Sequence, residues 1–87
     1  MSIKDLFKTY EELSKKANEA DQAWDKEPEN EKLEQAFDEA YEKEYEAFSN
    51  LVNGIEKLTN GMIDKKTAGV MVRRKKEELK AIIERMA

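Results

Sequence analysis

The ten residues Leu58-Thr59-Asn60-Gly61-Met62-Ile63-Asp64-Lys65-Lys66-Thr67 come nearest to a recognisable chemistry. Asn60-Gly61-x-Ile63-Asp64 is spaced like the middle of a calcium-binding loop between two helices. With Gly61 as the sixth loop position, the first falls on Glu56, the third on Leu58 and the twelfth on Thr67. Such a loop needs hard oxygen ligands at its early odd positions and a bidentate Glu at its end. Leu58 offers no oxygen, and Thr67 cannot chelate. The stretch is therefore expected to be a turn, in which Gly61 supplies a left-handed residue that stops one helix. Asp64 then caps the next helix, with Ile63 and Ala68 as its hydrophobic staple.

Other catalytic and metal-binding chemistries lack their usual residues. The chain has no His and no Cys, which removes the commonest general base, a leading metal ligand and the most reactive nucleophile. Glu39, Glu42, Glu44 and Glu46 are close together, but an acidic helix is ordinarily a solvated face. No glycine-rich phosphate loop is present, and 87 residues leave little room for a cleft. The expectation is a non-enzyme with no metal and no cofactor. With no disulfide framework, the chain suits a reducing cytoplasm. The longest unbroken apolar run is 68–72, counting Gly69. No membrane span and no signal peptide are expected.

Charge supplies two candidate binding surfaces. Residues 1–61 carry 8 basic and 16 acidic side chains, whereas residues 62–87 carry 8 basic and 4 acidic. The stretch from Glu27 to Glu46 is strongly acidic and interleaves the aromatic residues Phe37, Tyr41 and Tyr45. Glu34, Asp38, Tyr41, Glu42 and Tyr45 are the expected contacts with a basic protein partner, since tyrosines are enriched where partners dock. The aromatic ladder Phe37, Tyr41, Tyr45 and Phe48 is first expected in the core between helices one and two, with Phe7, Tyr10 and Trp24. The alternative leaves some of Tyr41, Tyr45 and Met71 as an exposed strip. The alternative is a nucleic-acid accessory protein whose Arg73, Arg74, Lys76 and Lys80 contact phosphates. Two features oppose it: the acidic remainder of the chain, and the lack of aromatic residues among the basic ones. Four consecutive basic residues on one continuous helix would also spread over a whole turn rather than form a patch.

These surfaces need elements to carry them, and the apolar residues supply their phase. Ile3, Leu6, Tyr10, Leu13, Ala17, Ala20 and Trp24 alternate steps of three and four, which lays a single seam along a helix. Phe7 widens that seam, and Ser2 is placed to cap it. Leu33, Phe37, Ala40, Phe48, Leu51, Ile55 and Leu58 repeat the spacing, with Glu44 as the one charged seam position. The helix is expected to continue through Asn53-Gly54, where Gly54 can admit a close neighbour; a kink there is the alternative. Ala68, Val72, Leu79, Ile82 and Met86 form the third seam, with Lys75 at its edge.

Pro28 breaks the first segment from the second and fits the first turn of the latter. The expected helices are therefore about 3–25, 29–59 and 65–86. They make one all-α domain: an antiparallel three-helix bundle, or long helical hairpin, with coiled-coil-like packing. Helix one is expected to pair with roughly residues 29–52 and helix three with roughly 41–59. So small a core leaves little margin against the entropy of folding, and an antiparallel homodimer is expected to supplement it.

Overall fold

Ser2 accepts a hydrogen bond from the Asp5 backbone N–H at 3.2 Å and opens the first helix, α1, Ile3–Lys26. The protein, as a computed structural model, is described over residues 2–86 and is all-helical there. Three further helices follow: α2 at Glu31–Leu58, α3 at Lys65–Arg74 and α4 at Lys76–Met86.

The α1–α2 corner differs from expectation by two residues. Pro28 lies outside α2, in a turn closed by the Asn30 N–H donating to the Glu27 carbonyl at 3.0 Å. Asn30 is the cap, accepting from Lys32 and Leu33 N–H at 3.0 and 3.3 Å. An Asn side chain satisfies helix-end donors that a proline cannot. The Trp24 indole N–H donates to the Pro28 carbonyl at 3.2 Å and ties the corner to α1.

α2 runs unbroken through Asn53-Gly54. A Cβ built on Gly54 would lie 2.9 Å from Ile3 Cδ1 and 3.0 Å from Leu6 Cδ1, so the glycine seats the start of α1 against α2. At the α2 C-terminus, the Gly61 N–H donates to the Glu56 carbonyl and the Asn60 N–H to the Lys57 carbonyl. This is a Schellman pair. Its first left-handed residue is Asn60 (φ 53°), with Gly61 (φ 83°) following. The helix therefore stops one residue earlier than a glycine-only signal implies. Buried Thr59 closes the turn, donating to the Ile55 carbonyl at 2.9 Å and accepting from the Ile63 N–H at 3.1 Å. Asp64 caps α3 through the Thr67 N–H at 2.7 Å. That hydrogen bond is the main reason its carboxyl is held below the ordinary value.

The largest departure is at Lys75. The expected third helix is two helices, because Lys75 (φ −134°, ψ 43°) leaves helical geometry and the chain folds back. α4 then descends antiparallel to α1. Glu77 and Glu78 share a groove with Ser14 and Asn18, and Ile83 shares one with Ile3 and Phe7. The break places Leu79 (0% exposed) and Ile83 in the core with Phe7, Leu51, Val52, Ile55, Ala68 and Val72. A straight continuation would have carried both away from Phe7. Ile82 is consequently only half-buried and Met86 exposed, unlike their expected seam roles.

The core is confined to one end of the molecule. At about 1.5 Å per residue, α3 covers about 15 Å of an α2 that is about 42 Å long. Beyond it, the α1–α2 hairpin projects alone, within an overall extent of 46 × 21 × 18 Å. Between residues 8 and 46 only Ala17 is buried.

Candidate protein-interaction surface

The projecting hairpin is held by aromatic stacking. Trp24 lies 5.4 Å from Phe37, and Phe37 stacks on Tyr41 at 6.0 Å between ring centroids. Nearer the body, half-buried Tyr10 and Phe48 meet at 5.9 Å. Burial also pushes the Tyr10 hydroxyl above its ordinary pKa, with the Glu44 charge adding to the effect. Glu44, the charged seam position, is half-buried at this junction.

Glu34, Asp38, Tyr41, Glu42 and Tyr45 are all exposed. Their spacing places them on a single face of α2, within about a quarter-turn of one another. That face continues the track on which α3 sits. Tyr41 is one heptad before Phe48, and Tyr45 is one heptad before Val52. Below, Val52 is buried and Phe48 lies 3.2 Å from a Cβ built on Gly69. Above, Tyr41 is 54% and Tyr45 61% exposed, so neither is the core residue expected first, because α3 ends before it can cover them. Met71, the third expected member of the strip, packs instead against the core.

The basic residues are rearranged by the break at Lys75. Arg73, Arg74, Lys75 and Lys76 line one open groove of about 830 Å³, joined across it by Lys15 of α1. The change of chain direction at Lys75 lets all four border this one groove, although Arg73 and Arg74 also border a second groove on the outside of α3. Glu11, Glu77 and Glu78 line the same groove and offset part of that charge. Lys80 is not in it. It pairs with Glu11 and sits 5.8 Å from the centre of the Phe7 ring. The hydrogen bond to Glu11 is the main reason its pKa is raised. Of the four expected phosphate contacts, Arg73, Arg74 and Lys76 are thus together and Lys80 is apart.

A second basic surface follows the outside of α3. Lys65, Lys66, Arg73 and Arg74 rim a groove whose apolar floor is Phe48, Gly69 and Val70. Arg73 stands 4.8 Å over the centre of the Phe48 ring, a cation–π contact. Val70, between Lys66 and Arg74 at helical spacing, is 51% exposed. The apolar periodicity does not mark this wall, because Val70 lies off the seam. Its legible signal was an unneeded valine at i+4 from one cation and i−4 from another.

Among the described residues, no group of three or more His, Cys, Asp or Glu side chains could hold a metal ion. No described helix is long and apolar enough to cross a membrane. Compared with protein-family models, curated proteins and solved structures, the chain matches none.

Proposed function

We propose that this all-α protein, built as a helical-hairpin bundle, is a non-catalytic cytoplasmic interaction module that receives a basic helical surface on the tip of its α1–α2 hairpin. The observation that carries the reading is the exposure of Tyr41 and Tyr45 on the continuation of a helix-packing track. α3 uses that track as far as Phe48 and then leaves it. Rigid, amphipathic tyrosines flanked by Glu34, Asp38 and Glu42 favour a partner with apolar residues between Lys or Arg.

Trp24, the single tryptophan, stands two rings away from Tyr41 and reports on the tip. Titration with a synthetic Leu/Lys amphipathic helix should change its fluorescence saturably, and Tyr41→Ala with Tyr45→Ala should abolish the change. No response to that helix from chain that is folded by circular dichroism and at single-chain mass removes the reading.

A second reading is favoured by the convergence of Arg73, Arg74, Lys75, Lys76 and Lys15 on one groove. These cations suit a nucleic-acid backbone. A low-salt gel shift lost on Arg73→Glu with Arg74→Glu supports it, and no shift at low salt rules it out.

A further inference from the structure

Two complementary surfaces lie end to end along one side of α2. Towards the corner is the acidic strip of Glu34, Asp38, Tyr41, Glu42 and Tyr45. Towards Thr59 is α3, with Lys66, Val70 and Arg74 on its outer side. The two meet at Phe48, which lies one heptad from Tyr41 and beneath Gly69 and Arg73.

Their dimensions agree. The strip from Glu34 to Tyr45 is about 16 Å long, and the ten residues of α3 span about 15 Å. Their relief agrees as well. Packed helices lie about 8–10 Å apart, so α3 forms a ridge of that height beside a strip left bare.

Resting on the docking role proposed above for the strip, we infer that its occupant is the α3 wall of a second copy of this chain. A two-fold axis near the Phe48 boundary lays each acidic strip against the partner copy's basic ridge, so one contact is made twice. A symmetric dimer needs such a self-complementary patch. Val70 lands on the exposed faces of Tyr41 and Tyr45, while Lys66 falls beside Asp38 and Glu42, and Arg74, about 12 Å further along, flanks Tyr45 on the Phe48 side. The ridge of each copy fills the step of the other. α3 of one copy thereby covers the part of α2 that the other copy's own α3 leaves at Lys75.

The test is sedimentation equilibrium on the full chain, with folding checked by circular dichroism. The wild type should give twice the 10.1 kDa chain mass. Raising salt from about 0.05 M to about 0.5 M should weaken association at least about tenfold. The acid-reversed variant (Asp38→Lys, Glu42→Lys) and the base-reversed variant (Lys66→Glu, Arg74→Glu) should each be monomeric. Mixed in equal amounts they should form a heterodimer, because reversing both sides restores both contacts. A wild type that stays at single-chain mass overturns the inference. So does a dimer indifferent to both reversals, or folded variants that fail to pair on mixing. A monomeric wild type whose Trp24 still responds to the Leu/Lys helix overturns the dimer alone and leaves the docking role standing.

Discussion

Tyr45 precedes Val52 by one heptad on the same stripe of α2, yet Val52 is 7% exposed and Tyr45 is 61% exposed. The difference arises from where α3 ends, not from α2 itself. At Phe48 the chain reaches Arg73, and two residues later Lys75 turns it back towards Phe7. Two similar apolar positions on one helix thus have separate roles, one in the fold and one at the surface.

Substitutions should separate these roles. At concentrations where the chain is monomeric, Tyr41→Ala with Tyr45→Ala is expected to cost no more than about 1.5 kcal/mol in all, most of it from the lost Phe37–Tyr41 stack. Leu51→Ala, Ile55→Ala or Leu79→Ala, each at a position 0% exposed, should each cost about 2–5 kcal/mol. Against a total of about 5–15 kcal/mol, the last three threaten the fold itself. Urea unfolding followed by circular dichroism measures both sets.

Gly54 sits in the interior of α2, where alanine is favoured by about 1 kcal/mol. The new methyl would press on Ile3 Cδ1 and Leu6 Cδ1. Both belong to half-buried side chains with room to rotate. Gly54→Ala is therefore expected to leave stability within about 1 kcal/mol of wild type, the two terms offsetting. Gly54→Leu should displace the start of α1 and cost about 1–3 kcal/mol through overpacking. Thermal unfolding of the pair checks the sign and the order.

Asp64 gives a pH signature. Its hydrogen bond from Thr67 holds the folded carboxyl below its ordinary 3.8. A depressed carboxylate contributes fully above its unfolded value and loses that contribution as pH falls through the lower folded value. Cap stability should therefore be constant above about pH 5 and decline below about pH 4. Asp64→Asn can still cap but does not titrate, so it should remove this component of the acid slope. Comparison of unfolding midpoints from neutral to acid pH provides the check.

The Lys80–Glu11 pair is the described ion pair between α4 and α1, with its side chains 32% and 35% exposed. Solvent screens such a pair, and Glu11→Gln should cost less than about 1 kcal/mol. The cost should shrink further in about 1 M salt. A larger or salt-independent loss would show that Glu11 acts through packing instead.

Much of the helical framework was legible. Ser2 and Asp64 were visible as caps because a hydroxyl or carboxylate precedes a periodic apolar run. The continuity of α2 through Gly54 was legible because Ile55 and Leu58 keep the phase of Phe48 and Leu51 across it. Lys75 was not legible from periodicity, since Ala68, Val72, Leu79 and Met86 hold one spacing straight through it. Periodicity records which residues are apolar and not which neighbour they meet. A second signal was present: Arg73-Arg74 followed by Glu77-Glu78 places cations at a helix end and anions at a helix start. Phe7, a mere flank in the seam, is buried because α4 returns to cover it. The spacing of Phe37, Tyr41, Tyr45 and Phe48 reads first as core, so the exposure of Tyr41 and Tyr45 follows only from where α3 ends. The basic wall opposite in charge depends on a fold-back that no spacing reports.

The uneven placing of buried residues reverses the usual order of fraying. Phe7, near the start of the chain, and Ile83, near its end, are 4% and 3% exposed. The corner at Pro28, by contrast, is reached through two helices with Ala17 as their one buried residue between positions 8 and 46. Amide protons around Gln22–Asp38 should therefore exchange before those flanking Phe7 and Leu79. The helix segments around Phe7 and Ile83 are the anchorage and the Pro28 corner is the loose part of the fold, so a protease would nick this protein between α1 and α2 first.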